Sequence, residues 1–268
     1  MIIKLKCNLE KVMIPVALLL TILAYATPNN VENLSFSEDE KTVIVTGGNR
    51  GMGLGWVKHY LGAGHTVIAT ARKPEKATDL LDLQKKYDGK LLIQKLDVTS
   101  EEHMDALSEM LQKNNIKIDI AISNAGVTIL EDFGDWTADG FGYNYKVNTL
   151  GPALFAQAIA PHLSNGATIV QITSGGGSIT YSKRNSNLDG YRVSKAGLNM
   201  LTKLLSHIFE DREIIVISLS PGGVKTDMNL TAERTVEEAV AQMAGVVAKL
   251  TMENSGTFIN FRGKVMAW

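Results

Sequence analysis

The chain has little that would let it hold a metal or staple itself covalently. One cysteine, Cys7, stands among 268 residues, so a single copy can build neither a disulfide framework nor a cysteine-based zinc site. The five histidines, His59, His65, His103, His162 and His207, fall at spacings that match no helical metal pair and read as structural or surface residues. An excess of one charge is also lacking. The 27 basic and 28 acidic side chains leave a net charge of -1, which argues against nucleic acid as a partner. From Lys41 onward no repeat, linker or low-complexity tract is visible. What is present, 45% apolar and 21% charged residues, is the balance of a globular chain with enough length to bury a core.

Long apolar runs are absent too. The run Val12 to Ala26 is interrupted by Pro15 and Thr21, and as a helix it spans about 22 Å, short of a ~30 Å hydrocarbon core. Lys4, Lys6 and Lys11 precede it and Ala24-Tyr25-Ala26 closes it. That order fits a signal peptide cleaved after Ala26, or an N-terminal membrane anchor. A helix lying on the domain is the alternative. The three lysines predict that the domain beyond the run is exported or held at a membrane; the protein is cytoplasmic if residues 1–26 do not act as a signal. Cleavage would remove the only cysteine. Residues 27–40 read as a tether.

From Lys41 onward, short β-branched runs alternate with stretches of helical period. Strands are expected at Thr42 to Thr46, Thr66 to Thr70, Leu91 to Leu96, Ile118 to Ser123, Thr168 to Thr173, Ile214 to Leu219 and Thr257 to Phe261. Helices are expected near Gly53 to Leu61, Glu75 to Tyr87, Glu101 to Asn114, Tyr145 to Leu163, Tyr191 to Glu210 and Thr235 to Leu250. Near-continuous apolar runs such as Ile214-Ile215-Val216-Ile217 suit strands covered on both faces. Residues 41–268 therefore form one α/β domain, a doubly wound, Rossmann-like seven-stranded parallel sheet flanked by helices. Ligands of such sheets sit at the carboxyl ends of the strands.

The first strand runs into Thr46-Gly47-Gly48-Asn49-Arg50-Gly51-Met52-Gly53. Glycines at 47, 51 and 53 let the backbone turn tightly beside a pyrophosphate, and the next helix offers free N–H groups to an anion. The GxGxxG spacing fails, because counting from Gly51 its third glycine is Trp56; the spacing present is GxxxGxG. The second strand ends Ala69-Thr70-Ala71-Arg72, without the acid that would hold a ribose 2′-hydroxyl. Arg72 and Arg50 instead offer two guanidinium groups to a 2′-phosphate. This favours NADP(H) over NAD(H). Asp97, after the third strand, is placed to accept from an adenine amino group or to open a helix.

Tyr191-Arg192-Val193-Ser194-Lys195 sets a phenol and an ammonium one helical turn apart. A nearby cation, together with an oxidised nicotinamide, favours the phenolate and brings a pKa near 10 towards the working range. Ser174 and Asn148 precede the pair. With Thr46-Gly47 to Gly53, Asn124-Ala125-Gly126, Asn148, Ser174, Tyr191 to Lys195 and Pro221-Gly222 in order, residues 41–268 resemble a short-chain dehydrogenase/reductase. Gly175 to Ser178, Pro221 to Met228 and Ser255 to Trp268 are closer to C-factor and Sniffer-type carbonyl reductases.

The resemblance implies an oxidoreductase that interconverts an aldehyde or ketone with an alcohol. Tyr191 would be the general acid and base, Lys195 would lower its pKa and bind the nicotinamide ribose, Ser174 would bond the substrate oxygen, and Asn148 would hold a proton-relaying water. Asn124, Ala125 and Gly126 would support the cofactor, Pro221 and Gly222 would shape its nicotinamide end, and Thr226 would bond the carboxamide or pyrophosphate. Asn49, Met52, Val98 and Val224 complete the implied cofactor contacts. A C-factor-like sensor that binds NAD(P) with little turnover is the alternative.

Two departures stand out. Ser174 lies 17 residues before Tyr191, so the intervening loop is long and Ser178 is a rival; the strand end favours Ser174. Ser123 replaces the usual first Asn of the NNAG motif. Lys183 and Arg184 in the long loop read as solvated, and the short segment Asp227 to Glu233 suggests an open pocket for a small-molecule substrate. Val193, Ala196, Met200, Leu201, Leu204, Leu205 and Ile208 give the Tyr191 helix an apolar surface, expected mostly to face the sheet, with a homo-oligomer across this helix as a further possibility.

Overall fold

The computed structural model describes residue 34, residues 40–182 and residues 187–268. The expected signal or anchor at 1–26, the tether apart from Leu34 and Glu40, and Lys183 and Arg184 lie outside these. Seven strands, β1 (Thr42–Val45), β2 (Thr66–Ala71), β3 (Leu91–Lys95), β4 (Ile118–Ser123), β5 (Leu163–Ile172), β6 (Ile215–Ser220) and β7 (Thr257–Asn260), form one parallel sheet in the order β3-β2-β1-β4-β5-β6-β7. The winding reverses between β1 and β4, which opens a crevice beyond their carboxyl ends.

Side chains alternate across the strands, so each face gathers its own core. On one face α1 (Gly51–Gly62), α2 (Thr78–Lys86) and α7 (Val236–Val247) bury Trp56, Val57, Leu80, Val240 and Met243 against Val43, Val45 and Ile217. On the other, α3 (Glu101–Lys113), α5 (Gly151–Ile159) and α6 (Asp189–Ile208) bury Leu107, Phe155, Ile159 and Leu205 against Ile44, Ile169 and Val216. Ser100 caps α3 through His103 N, and Thr235 and Glu238 cap α7 reciprocally. Among the described residues no helix is long and apolar enough to cross a membrane.

Two expected helices are divided. In place of one helix over Glu75 to Tyr87, a single tight turn at Pro74–Lys76 is followed by α2, because Ala77 leaves the helical region at φ -87 and ψ 66. In place of Tyr145 to Leu163 there are three pieces: α4 (Ala138–Tyr145), started by the Thr137 side chain accepting from Gly140 N, a widened π turn at Lys146–Leu150, and α5. Pro161, which has no N–H to give a longer helix, stands in the turn beyond α5, and β5 begins at Leu163.

The surface that α6 turns to the sheet also differs from expectation. Its buried stripe is mainly polar: Ser194, Lys195, Asn199, Thr202 and Ser206 accompany Leu198 and Leu205. Val193, Met200, Leu204 and Ile208 point outward. The reason lies in the sheet, whose facing row near the carboxyl ends carries buried Thr70, Thr46, Ser123, Gln171 and Ser218. Buried hydroxyls need partners, and the helix supplies them for Ser218 and for Thr173 just beyond β5. Thr202 Oγ1 meets Ser218 Oγ at 2.8 Å, and Thr173 Oγ1 donates to Asn199 Oδ1 at 2.8 Å.

Candidate active site

The crevice starts at the glycine turn. Gly47 and Gly51 adopt φ values of +64° and +53°, the left-handed region that glycine enters without strain. Gly53 is required by space: a Cβ there would lie 2.0 Å from the Gly47 carbonyl oxygen. Helix α1 then opens with neither a side-chain cap nor an acidic residue in its first turn, leaving its N–H groups for an anion. Thr46 does not line the cleft. Its buried Oγ1 accepts from Asn124 N at 2.9 Å and Ala125 N at 3.0 Å, while Asn124 Nδ2 donates to Thr46 O at 3.0 Å, so the ends of β1 and β4 are bolted together.

A cleft of about 240 Å³ runs from this turn to Tyr191. Of the expected residues, Gly47, Asn49, Arg50, Gly51, Met52, Gly53, Arg72, Asp97 and Val98 line one end, and Asn124, Ala125, Gly126, Tyr191, Lys195, Pro221 and Thr226 the rest. Leu96, Val127, Tyr143, Val147, Ile172, Thr173, Asp227 and Met228 join them. Gly222 and Val224 stand apart: Gly222 packs on Phe261, where a Cβ would come within 2.9 Å of the ring, and Val224 is buried in the core.

Arg72 lies at the cleft beside Asp97. Burial alone would raise the Asp97 pKa, but Thr99 N and Oγ1 donating to its Oδ1, with the charges of Arg72 and His103, hold the carboxyl below its ordinary value. Arg50 does not stand free beside Arg72. Its Nη1 pairs with Asp227 Oδ2 at 2.9 Å across the mouth of the cleft, where both side chains are exposed. Such a pair is weak, about 0–1 kcal/mol, and a phosphate can displace it. Arg234, which the sequence does not single out, holds the Pro221 carbonyl through Nη2 and lies 3.8 Å over the Phe261 ring. It anchors the loop that lines the far end of the cleft.

Ser174 follows β5 by two residues, its Oγ accepts from Gly176 N at 3.1 Å, and its side chain is near enough to Tyr191 to draw the phenol pKa down. Ser178 is no rival: it is buried and its Oγ donates to Ala267 O at 2.8 Å. Lys195 is buried on the face of α6 that carries Tyr191. Its Nζ donates to Ile172 O at 2.9 Å and lies 5.8 Å from the Tyr191 ring centre. The expected lowering of the tyrosine pKa is not found in the chain alone. Burial raises it, and the Ser174 side chain only partly offsets this. Burial also brings Lys195 down to about 8.

Asn148 sits in the π turn, completely buried. Its Oδ1 accepts from Val127 N at 2.8 Å, and its Nδ2 donates to Val127 O at 2.9 Å and Ser194 Oγ at 3.0 Å. The expected water-holding role does not fall to a free amide; both ends of the side chain are engaged with protein. Asn148 stitches the π turn to the chain after β4 and to the turn of α6 between Tyr191 and Lys195. π turns of this kind often mark functional sites.

A model of the short chain dehydrogenase family matches residues 41–237. The chain belongs to the short-chain dehydrogenase family and is an oxidoreductase. It is 33% identical over 250 residues to the short chain dehydrogenase gsfK of Penicillium aethiopicum, covering 85% of this chain and 99% of that one. Among solved structures it is similar to the NADPH-bound carbonyl reductase from chicken fatty liver, with a TM-score of 0.80 and 36% identity over 85% of this chain and 99% of the other. The carbonyl reductase Sniffer of D. melanogaster matches with a TM-score of 0.81 and 28% identity, over 85% and 100% of the two chains.

The steric requirement at Gly53 can be checked directly. Gly53→Ala is expected to destabilise the domain by about 1–3 kcal/mol, as overpacking does, read as a lower midpoint in urea unfolding.

Proposed function

We propose that the chain is an NADP(H)-dependent reductase that interconverts an aldehyde or ketone with an alcohol, using Tyr191 as general acid and base. The observation that carries this reading is that Tyr191 and Lys195, one turn apart on α6, line the same cleft that begins in the glycine turn, with Lys195 Nζ 5.8 Å from the phenol ring centre. The residues fit the cofactor. Gly47, Gly51 and Gly53 leave a cradle where a Cβ would strain or collide, the uncapped start of α1 suits a pyrophosphate, and Arg72 suits a 2′-phosphate. Asn124, Ala125, Gly126, Pro221 and Thr226 would line its remaining length. When bound, the nicotinamide supplies or accepts the hydride.

The protein's own part is proton handling. Burial keeps the Tyr191 phenol protonated at neutral pH, so it can donate to a carbonyl oxygen as that oxygen gains charge. Ser174 donates to the same oxygen and stabilises that charge. Lys195, tied to Ile172 O, would hold the ribose hydroxyls while it remains an ammonium. Its pKa of about 8 means that this charge is present near neutrality and is lost as pH rises. Asn148 keeps the Tyr191 turn of α6 in place. The chicken carbonyl reductase is NADPH-bound, which supports the same cofactor here.

The apolar outer face of α6, with Val193, Met200, Leu204 and Ile208 exposed, supports self-association across that helix, to be checked by light scattering of wild type against Met200→Glu. For residues 1–26 the reading remains a signal or anchor, resting on sequence alone; cell fractionation with N-terminal sequencing decides it.

Two experiments test the chemistry. NADPH oxidation is followed against a panel of aldehydes and ketones between pH 6 and 9. Wild type is expected to turn over and to decline above about pH 8, and Tyr191→Phe to fall at least 100-fold; equal rates for the two proteins would exclude the assigned role. For the cofactor, Arg72→Asp is expected to move the kcat/KM ratio of NADPH to NADH at least 10-fold towards NADH, and an unchanged ratio would refute the 2′-phosphate contact.

A further inference from the structure

Ser174 leaves the sheet on Gly175-Gly176-Gly177, a tract with more conformational freedom than any other three residues could have. Two sets of contacts hold it. Helix α6 receives one side: Asn199 Nδ2 donates to Gly177 O at 3.1 Å, and a Cβ on Gly177 would lie 2.8 Å from the Lys195 carbonyl carbon. Residues 265–268, which the proposed chemistry does not use, receive the other. Ser178 Oγ donates to Ala267 O at 2.8 Å and lies 3.2 Å from Trp268 O, and Thr180 N donates to Trp268 O at 2.8 Å.

The segment is itself keyed to the sheet. Met266 N donates to Phe258 O at 2.7 Å, and the Trp268 ring stacks on the buried Phe258 of β7 with centres 5.7 Å apart and planes 21° apart. Met266 also reaches the glycine tract, where a Cβ on Gly175 would lie 3.8 Å from its Cε. A continuous path of contacts therefore joins β7, through residues 266–268 and Ser178, to the turn that carries Ser174.

We propose that Ser178 and Trp268 are positioning residues for the reaction: they clamp the Gly175–Ser178 turn so that the Ser174 hydroxyl stays aligned with Tyr191 and the substrate oxygen. The extra length between Ser174 and Tyr191 gives the loop the residues that meet this clamp. The inference rests on the catalytic reading of Ser174 and Tyr191. Misplacement of a catalytic group by about 1 Å can lower a rate on the order of 100-fold, so a loosened clamp shows in kcat. The cofactor cleft is lined by neither Ser178 nor Trp268, so NADPH affinity is a separate readout.

The test uses the full chain with Ser178→Ala, Trp268→Ala and Trp268→Phe, each also combined with Ser174→Ala. Reductase kcat and KM are measured alongside NADPH affinity by fluorescence titration. Ser178→Ala and Trp268→Ala are expected to lower kcat about 10-fold with NADPH affinity within twofold of wild type, and Trp268→Phe to recover most of the rate. In the Ser174→Ala background the same changes are expected to lower kcat less than twofold further, because the group they position is gone. The clamp is refuted if Ser178→Ala keeps wild-type kcat, if its loss adds in full to that of Ser174→Ala, or if kcat and NADPH affinity fall together. Should Trp268→Ala fail to fold, Ser178→Ala carries the same comparison. If Ser174→Ala and Tyr191→Phe are fully active, the catalytic reading itself fails; if both are inactive and Ser178→Ala is normal, only the clamp does.

Discussion

The placement of α6 on the sheet governs the rest of the site. A helix of 20 residues that buries Ser194, Lys195, Asn199 and Thr202 cannot slide or rotate freely, because each displaced group would lose a partner outside the helix, at about 1–3 kcal/mol for each buried group left unsatisfied. An apolar stripe would tolerate small shifts. This polar one has discrete partners: Ser218 for Thr202, Thr173 for Asn199, the Ile172 carbonyl for Lys195 and Asn148 for Ser194. Tyr191 lies at the start of this pinned helix, so its hydroxyl is located by contacts spread along more than two turns.

The same burial decides the ionisation of the site. Removing Tyr191 and Lys195 from water penalises both charged forms, raising the phenol and lowering the ammonium. The protein by itself therefore stores a neutral acid beside a cation that is only moderately stable. Arrangement rather than a standing phenolate is what the fold supplies. Strong electrostatic activation awaits whatever charge the cleft receives.

Residues whose chemistry or conformation admits few alternatives were legible in the sequence. Gly53 has no room for a Cβ, Arg72 replaces an acid that would repel a phosphate, and Tyr191 and Lys195 share a helix face. The seven strands were legible for a similar reason, since doubly covered parallel strands leave dense β-branched runs. Long-range partners were not. Nothing near Arg50 announces Asp227, 177 positions away, nor does Ser178 announce Ala267 and Trp268. The π turn at Asn148 is hidden because one widened turn barely disturbs a helical period. The stripe on α6 is hidden because the helix carries apolar residues on more than one side, and only the hydroxyl-bearing row of the sheet shows which side is buried.

The direction of β1 has a consequence for the molecule as a whole. This central strand starts at Thr42, with Glu40 and Lys41 just outside the sheet's amino edge, and ends at the glycine turn that opens the cleft. Four strand residues, roughly 13 Å of backbone, separate the two. The amino edge of the sheet and the entry to the cleft thus lie at opposite ends of β1, so a contact made at Glu40 and Lys41 leaves the mouth of the cleft clear.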